Sequence, residues 1–177
     1  MKDAELVSFL QWALPRLGLR WAGCRREIEA TRTGFLGVSA GAIFGAVLMA
    51  VEPGIRRAAL VFPGGDLPEI VRTSQEPEMI AWREALMAKL GSDEAVTHAL
   101  RAAIVSDPQR LAPFVDPARL LLFLGADDTK VPVARGEALR AALGDPETWR
   151  LAGDHDTAVL CFGFLLREID AFLFNLG

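Results

Sequence analysis

Apolar and polar positions alternate in two rhythms along the chain. Residues 5–14 space their apolar side chains as a helix does, and Pro15 ends that pattern. A stretch with Arg16, Arg20, Arg25 and Arg26 follows without a period and reads as a solvated connector. Residues 33–38 form a short apolar run of strand length. From Ala40 to Val51 the chain is apolar on nearly every side, which predicts a buried helix closed by Pro53-Gly54. A second strand is expected over 55–62, ending at Pro63-Gly64-Gly65.

The next stretch, 67–118, has a different character. Met79, Trp82, Leu86 and Leu90 recur at helical spacing. Ser92 is a good N-cap, with Asp93 and Glu94 in the first turn behind it. Two or three short amphipathic helices and no strand are expected there, forming a small helical lid over a cleft. The strand pattern resumes at 119–124, a turn follows at Gly125-Ala126-Asp127-Asp128, and a helix is expected over 133–143. A short strand at 148–151, a loop at Gly153-Asp154-His155 and an amphipathic helix over 157–173 complete the pattern. Strands alternating with helices predict an α/β fold with a mostly parallel sheet flanked by helices, built as one domain. No internal repeat interrupts it.

Composition narrows the partners. The chain has 177 residues, half of them apolar, and a net charge of −4. That balance gives no reason to expect nucleic acid or an anionic membrane as partner. No window reaches the roughly 18 uncharged apolar residues of a membrane span. Met1-Lys2-Asp3-Ala4-Glu5 lacks a signal-peptide pattern, so a soluble, cytoplasmic protein is expected. Cys24 and Cys161 are expected to be reduced thiols. With His98 and His155 as the only histidines, neither a zinc site nor any other metal site is expected. Tyrosine is absent, so no chemistry rests on a phenol.

The chemistry centres on Gly37-Val38-Ser39-Ala40-Gly41. A serine between a strand and a buried helix sits on a sharp turn, and small residues two before and two after it allow close packing. Its hydroxyl is then exposed beside a helix N-terminus, where the Ala40 N–H can bind an oxyanion. Serine needs a base. His155 lies in a polar loop before the last helix, whereas His98 falls within the helical stripe of the lid and reads as a surface residue. The base in turn needs a carboxylate to hold its tautomer. Asp128 follows a buried strand, so it sits on the sheet edge that carries Ser39. Asp127 is adjacent and competes for the role, while Asp154 and Asp156 read as solvated loop residues.

In this order Ser39, Asp128 and His155 resemble the Ser…Asp…His series of the α/β-hydrolase fold. Gly125-Ala126-Asp127-Asp128-Thr129-Lys130-Val131-Pro132 resembles that family's acid loop, in a register that selects Asp128 over Asp127. Leu151-Ala152-Gly153-Asp154-His155 resembles its histidine loop. The resemblance runs over roughly 33–175 and is greatest to esterase and dienelactone-hydrolase-like members. It implies cleavage of a small-molecule carboxylic ester or thioester through an acyl-enzyme, with no cofactor.

The chain departs from the family at its start. Members place about four strands before the nucleophile turn, but only 38 residues precede Ser39. The loop that supplies a second oxyanion N–H has no counterpart. A fold lacking its N-terminal strands is therefore expected, as a fragment, a chain with a misplaced start, or a remnant needing a partner. Its first strand would then have a bare edge, open to pairing in a homo-oligomer. Two alternatives stand beside the esterase reading. The segment 37–43 is also very similar to the nucleophile segment of patatin-like lipid acyl hydrolases, although the Asp-Gly pair their Ser–Asp dyad uses is absent. The other is a non-catalytic remnant that serves as a binding or interaction module.

Overall fold

The computed structural model describes residues 33–157, 160 and 162–174. The helix expected over 5–14, the basic connector and both cysteines lie outside the described residues.

Four strands form one parallel sheet in the order β1 (Gly34–Val38), β2 (Arg57–Val61), β3 (Leu120–Gly125) and β4 (Glu147–Leu151). Register runs from Gly34 opposite Arg57 to Val38 opposite Val61, then Ala58 opposite Leu120 and Leu121 opposite Glu147. The second strand is shorter than the 55–62 expected. Ile55 is buried but lies before the ladder begins, and Phe62 leaves it by turning to a positive φ.

Period-two alternation divides the central strands between two cores. Ala58, Leu60, Leu120 and Leu122 point to one face, where α1 (Ala40–Val51) and α6 (Val133–Ala142) bring Ala42, Ala46, Met49 and Leu139. Ala59, Val61, Leu121 and Phe123 point to the other face, covered by Leu165, Ile169 and Leu173 of α7 (Phe162–Phe174). Both middle strands are therefore covered on two sides, which is why they read as continuous apolar runs. Helix α1 lies close to the sheet because Gly45 has no side chain; a Cβ there would meet the rings and methyls of Phe35 and Leu60. Among the described residues β1 pairs only with β2, and its Leu36 is exposed.

Between β2 and β3 the chain makes four α-helices where two or three were expected: α2 (Leu67–Thr73), α3 (Pro77–Leu90), α4 (Asp93–Ala103) and α5 (Pro108–Leu111). Two short 3₁₀ turns follow, and no strand occurs in this stretch. Ser92 caps α4 by accepting from the Ala95 N–H at 3.2 Å. Asp107, buried, accepts from the N–H groups of Asp66 (3.0 Å), Leu67 (2.6 Å) and Gln109 (2.8 Å), so one carboxylate fastens the starts of α2 and α5. The stripe of Met79, Trp82, Leu86 and Leu90 does not enter either core, because α3 buries none of its residues and Trp82 is 46% exposed. Among the described residues no helix is long and apolar enough to cross a membrane.

The last helix begins at Phe162 and not at 157. Asp154 and Thr157 bind each other in a turn ahead of it.

At the other sheet edge Glu137 of α6 receives Arg140 (2.7 Å) and Arg150 of β4 (2.8 Å). The hydrogen bond from Arg140, foremost, holds its carboxyl below the usual 4.5. A depressed acid stabilises the fold fully above its unfolded value and loses that contribution as pH falls through the folded one. The destabilisation caused by Glu137→Gln is thus expected to be larger at pH 7 than at pH 3 in urea titrations of both proteins. An equal loss at both pH values would contradict this.

Candidate active site

Three loops leave the carboxyl ends of β1, β3 and β4 at one edge of the sheet, where parallel α/β folds build their sites. The first is the turn at Ser39. Its N–H continues the ladder to the Val61 carbonyl (2.8 Å), and its own carbonyl starts α1 by accepting from Ala42 (2.9 Å) and Ile43 (3.0 Å). Between these fixed ends Ser39 adopts φ 54°, ψ −120°, a conformation that costs an L-residue on the order of 1–3 kcal/mol. The side chain does not cap the helix, so the hydroxyl is left for the site. The N–H groups of Ala40 and Gly41 start α1 with no intrahelical acceptor, as at any helix N-terminus.

Gly37 is required for this turn: a Cβ there would lie 2.4 Å from the Gly41 carbonyl oxygen. Gly41 behaves differently. The sequence pattern implied close packing on both sides of the serine, but nothing described lies within 4 Å of a Cβ built on Gly41. Among the described residues the tight approach is therefore at Gly37 and not at Gly41.

The second loop carries Asp128, which is 4% exposed, whereas Asp127 is exposed. Asp128 Oδ1 accepts from the N–H groups of Lys130 (2.9 Å) and Val131 (3.0 Å). Its Oδ2 faces His155 Nδ1 at 2.7 Å. An ionised carboxylate only accepts, so the imidazole proton lies on Nδ1 and leaves Nε2 as an acceptor. Ser39 Oγ is 3.1 Å from that Nε2 and donates to it. The structure thus joins the serine, histidine and aspartate in one hydrogen-bonded chain.

The third loop holds the imidazole from behind. Gly153, at φ 100°, leaves no room for a side chain, since a Cβ would lie 2.4 Å from Thr157 Oγ1. The Thr157 hydroxyl, and then its N–H, keep the Asp154 carboxyl below its usual range. The Asp127 N–H donates to the Gly153 carbonyl (3.1 Å), which ties the third loop to the second. Lys130 adds a tie between side chains, with Nζ 2.9 Å from Asp156 and 3.2 Å from Glu76 at the start of α3. Buried Ser74 donates to the Lys130 carbonyl at 2.6 Å. Asp154 and Asp156 therefore shape and brace the loop without touching the imidazole chain. His98 is exposed on α4, in a groove with Glu69, Arg72, Asp93 and Arg101, away from Ser39.

One neighbour of the imidazole escaped sequence reasoning. The ring of Phe62, at the end of β2, lies 4.7 Å from that of His155 at 40°. Its place at a strand end before Pro63 was readable, but its positive φ and the direction of its ring were not.

No protein-family model matches the sequence, and no curated protein matches it. Solved structures do. An acetyl xylan esterase from a Paenibacillus species is similar over 87% of this chain and 49% of its own, with TM-score 0.67 and 19% identity. An esterase from Pyrococcus furiosus is similar over 93% of this chain and 61% of its own, with TM-score 0.63 and 18% identity. The enol-lactonase from Burkholderia xenovorans follows, at 81% and 66%, TM-score 0.51 and 20% identity. This chain has an α/β-hydrolase fold. It spans about half to two thirds of the length of these structures.

Proposed function

We propose that this α/β-hydrolase-fold chain is a serine hydrolase that cleaves carboxylic esters or thioesters of small molecules. The observation that carries the reading is the chain from Ser39 Oγ through His155 to buried Asp128, with contacts of 3.1 and 2.7 Å.

Ser39 Oγ attacks the acyl carbonyl while His155 Nε2 takes its proton. Asp128 holds the Nδ1–H tautomer and stabilises the imidazolium. The Ala40 N–H binds the oxyanion that forms beside it. The tetrahedral intermediate collapses, the C–O or C–S bond breaks, and the alcohol or thiol leaves with the proton from His155. Water then attacks the acyl-enzyme with His155 again as base, releasing the acid and restoring Ser39. The names of the similar structures, two esterases and a lactonase, favour acyl chemistry on esters. A histidine between serine and aspartate favours this triad over a Ser–Asp dyad of the patatin kind. The helices of 67–118 are proposed as a lid, since the acid loop is tied directly to the junction of α2 and α3 through Ser74 and Glu76.

The test is labelling with a fluorophosphonate, which phosphonylates an activated serine. Folded protein is expected to take up one label, found on Ser39 by peptide mass spectrometry, and to lose it with His155→Ala. Folded protein that stays unlabelled sinks the hydrolase reading for this chain and supports a non-catalytic module.

A further inference from the structure

Ser39, Asp128 and His155 come from the ends of β1, β3 and β4. The strand between β1 and β3, β2, is followed directly by Phe62 and brings no polar side chain to the imidazole. Four non-glycine residues in the described structure have positive φ. Two are aspartates, which tolerate that region, and one is Ser39 at the turn. The fourth is Phe62, at φ 57°. For a bulky aromatic residue this conformation is an outlier that persists only where the surroundings enforce it, and such strain gathers at functional sites. A residue that only filled the core would not need it. Apolar neighbours Ala59, Val61 and Phe123 reach the same core from ordinary strand geometry.

The strained backbone turns a buried ring against His155. Phe62 is 1% exposed, and its centroid lies 4.7 Å from the imidazole centroid. A cation within about 6 Å of an aromatic face is attracted by the ring quadrupole, more so when water is excluded. We infer that Phe62 is a positioning residue whose ring supports His155 in its protonated form, the form acyl transfer creates transiently. This inference rests on the hydrolase reading for its catalytic meaning, and on geometry alone for the contact. Among the described residues, the other polar groups near the imidazole have partners. Asp128 faces it from the β3 loop and the Ser39 hydroxyl from the turn after β1. Its own loop carries Asp154, bound by Thr157, and Asp156, bound by Lys130. From β2 comes the Phe62 ring alone.

The contact can be graded at nearly constant shape. Phe62 is replaced by 4-fluoro-, 3,4,5-trifluoro- and pentafluorophenylalanine, which weaken and then reverse the ring quadrupole. The series is made in a His98→Gln background, so that His155 is the sole imidazole. Two readouts are followed: the pH at which the His155 ring signals titrate by NMR, and kcat and KM on a p-nitrophenyl ester. Each added fluorine is expected to move the titration to lower pH. Over the series kcat is expected to fall by roughly five- to thirty-fold, the effect of losing one such contact where water is excluded, with KM unchanged. Phe62→Leu should match the middle of the series. A titration that does not move with fluorination overturns the inference, because a purely steric role would leave it fixed. If the unsubstituted chain neither turns over ester nor labels at Ser39, the hydrolase reading fails, while the NMR trend still decides the Phe62 contact.

Discussion

Replacing Ser39 with alanine is expected to lower ester turnover by on the order of 10⁴- to 10⁶-fold, with the fold intact. His155→Ala should cost about the same, and the double variant scarcely more, because serine and base act as one unit. Asp128→Asn should cost less, on the order of 10⁴-fold, through loss of the tautomer that leaves Nε2 free to accept. Asp127→Ala should be the mildest, since its side chain is exposed and only its N–H is used, to hold Gly153. Steady-state rates on a short p-nitrophenyl ester, with circular dichroism as a check on folding, measure the series. A Ser39→Ala protein that keeps its turnover removes Ser39 from the mechanism. If Asp127→Ala is worse than Asp128→Asn, the acid is one residue earlier in the chain.

The two glycines that flank the serine should respond with opposite signs. A Cβ on Gly37 would lie 2.4 Å from the Gly41 carbonyl oxygen and 2.8 Å from the Ala42 nitrogen. These are backbone atoms of the first turn of α1, held by hydrogen bonds to the Ser39 carbonyl, so they cannot retreat as a flexible side chain would. Gly37→Ala is expected to destabilise by about 3 kcal/mol or more, beyond ordinary overpacking of side chains. For a chain of this size that lowers Tm by roughly 6–12 °C. At Gly41 the same change meets open space and replaces glycine by alanine inside a helix, which is worth about 0.5–1 kcal/mol in favour of the variant. Thermal melts of the two variants decide this. Equal destabilisation would mean that a further part of the protein packs against Gly41.

The two glycines also show where sequence reading and structure part. A strand, a serine and a helix in succession demand a sharp turn, and small residues on both sides are consistent with it. Which side is crowded depends on the direction in which α1 leaves the turn, and no local pattern encodes that. Similarly, the acid loop could be read as a loop after a buried strand. The choice between Asp127 and Asp128 came from a resemblance in register. The structure supplies a physical counterpart, since only Asp128 turns inward to meet two backbone N–H groups and the imidazole.

By itself the sequence determined the succession of strands and helices on either side of the 67–118 stretch. The apolar runs at 33–38 and 119–124 became β1 and β3, and Ala40–Val51 became α1, because burial of a strand on two sides or a helix all round leaves a direct mark on composition. It also determined that Ser39, Asp128 and His155 each follow a strand. Only the tertiary structure decided that β2 stands between β1 and β3, which brings Phe62 under His155, and that the Met79–Leu90 stripe stays outside both cores. Periodicity records how much of a residue is covered, but not by what. Partners far apart in sequence are selected by packing the whole sheet, and a strained φ such as that of Phe62 is set by those partners and not by the residue itself.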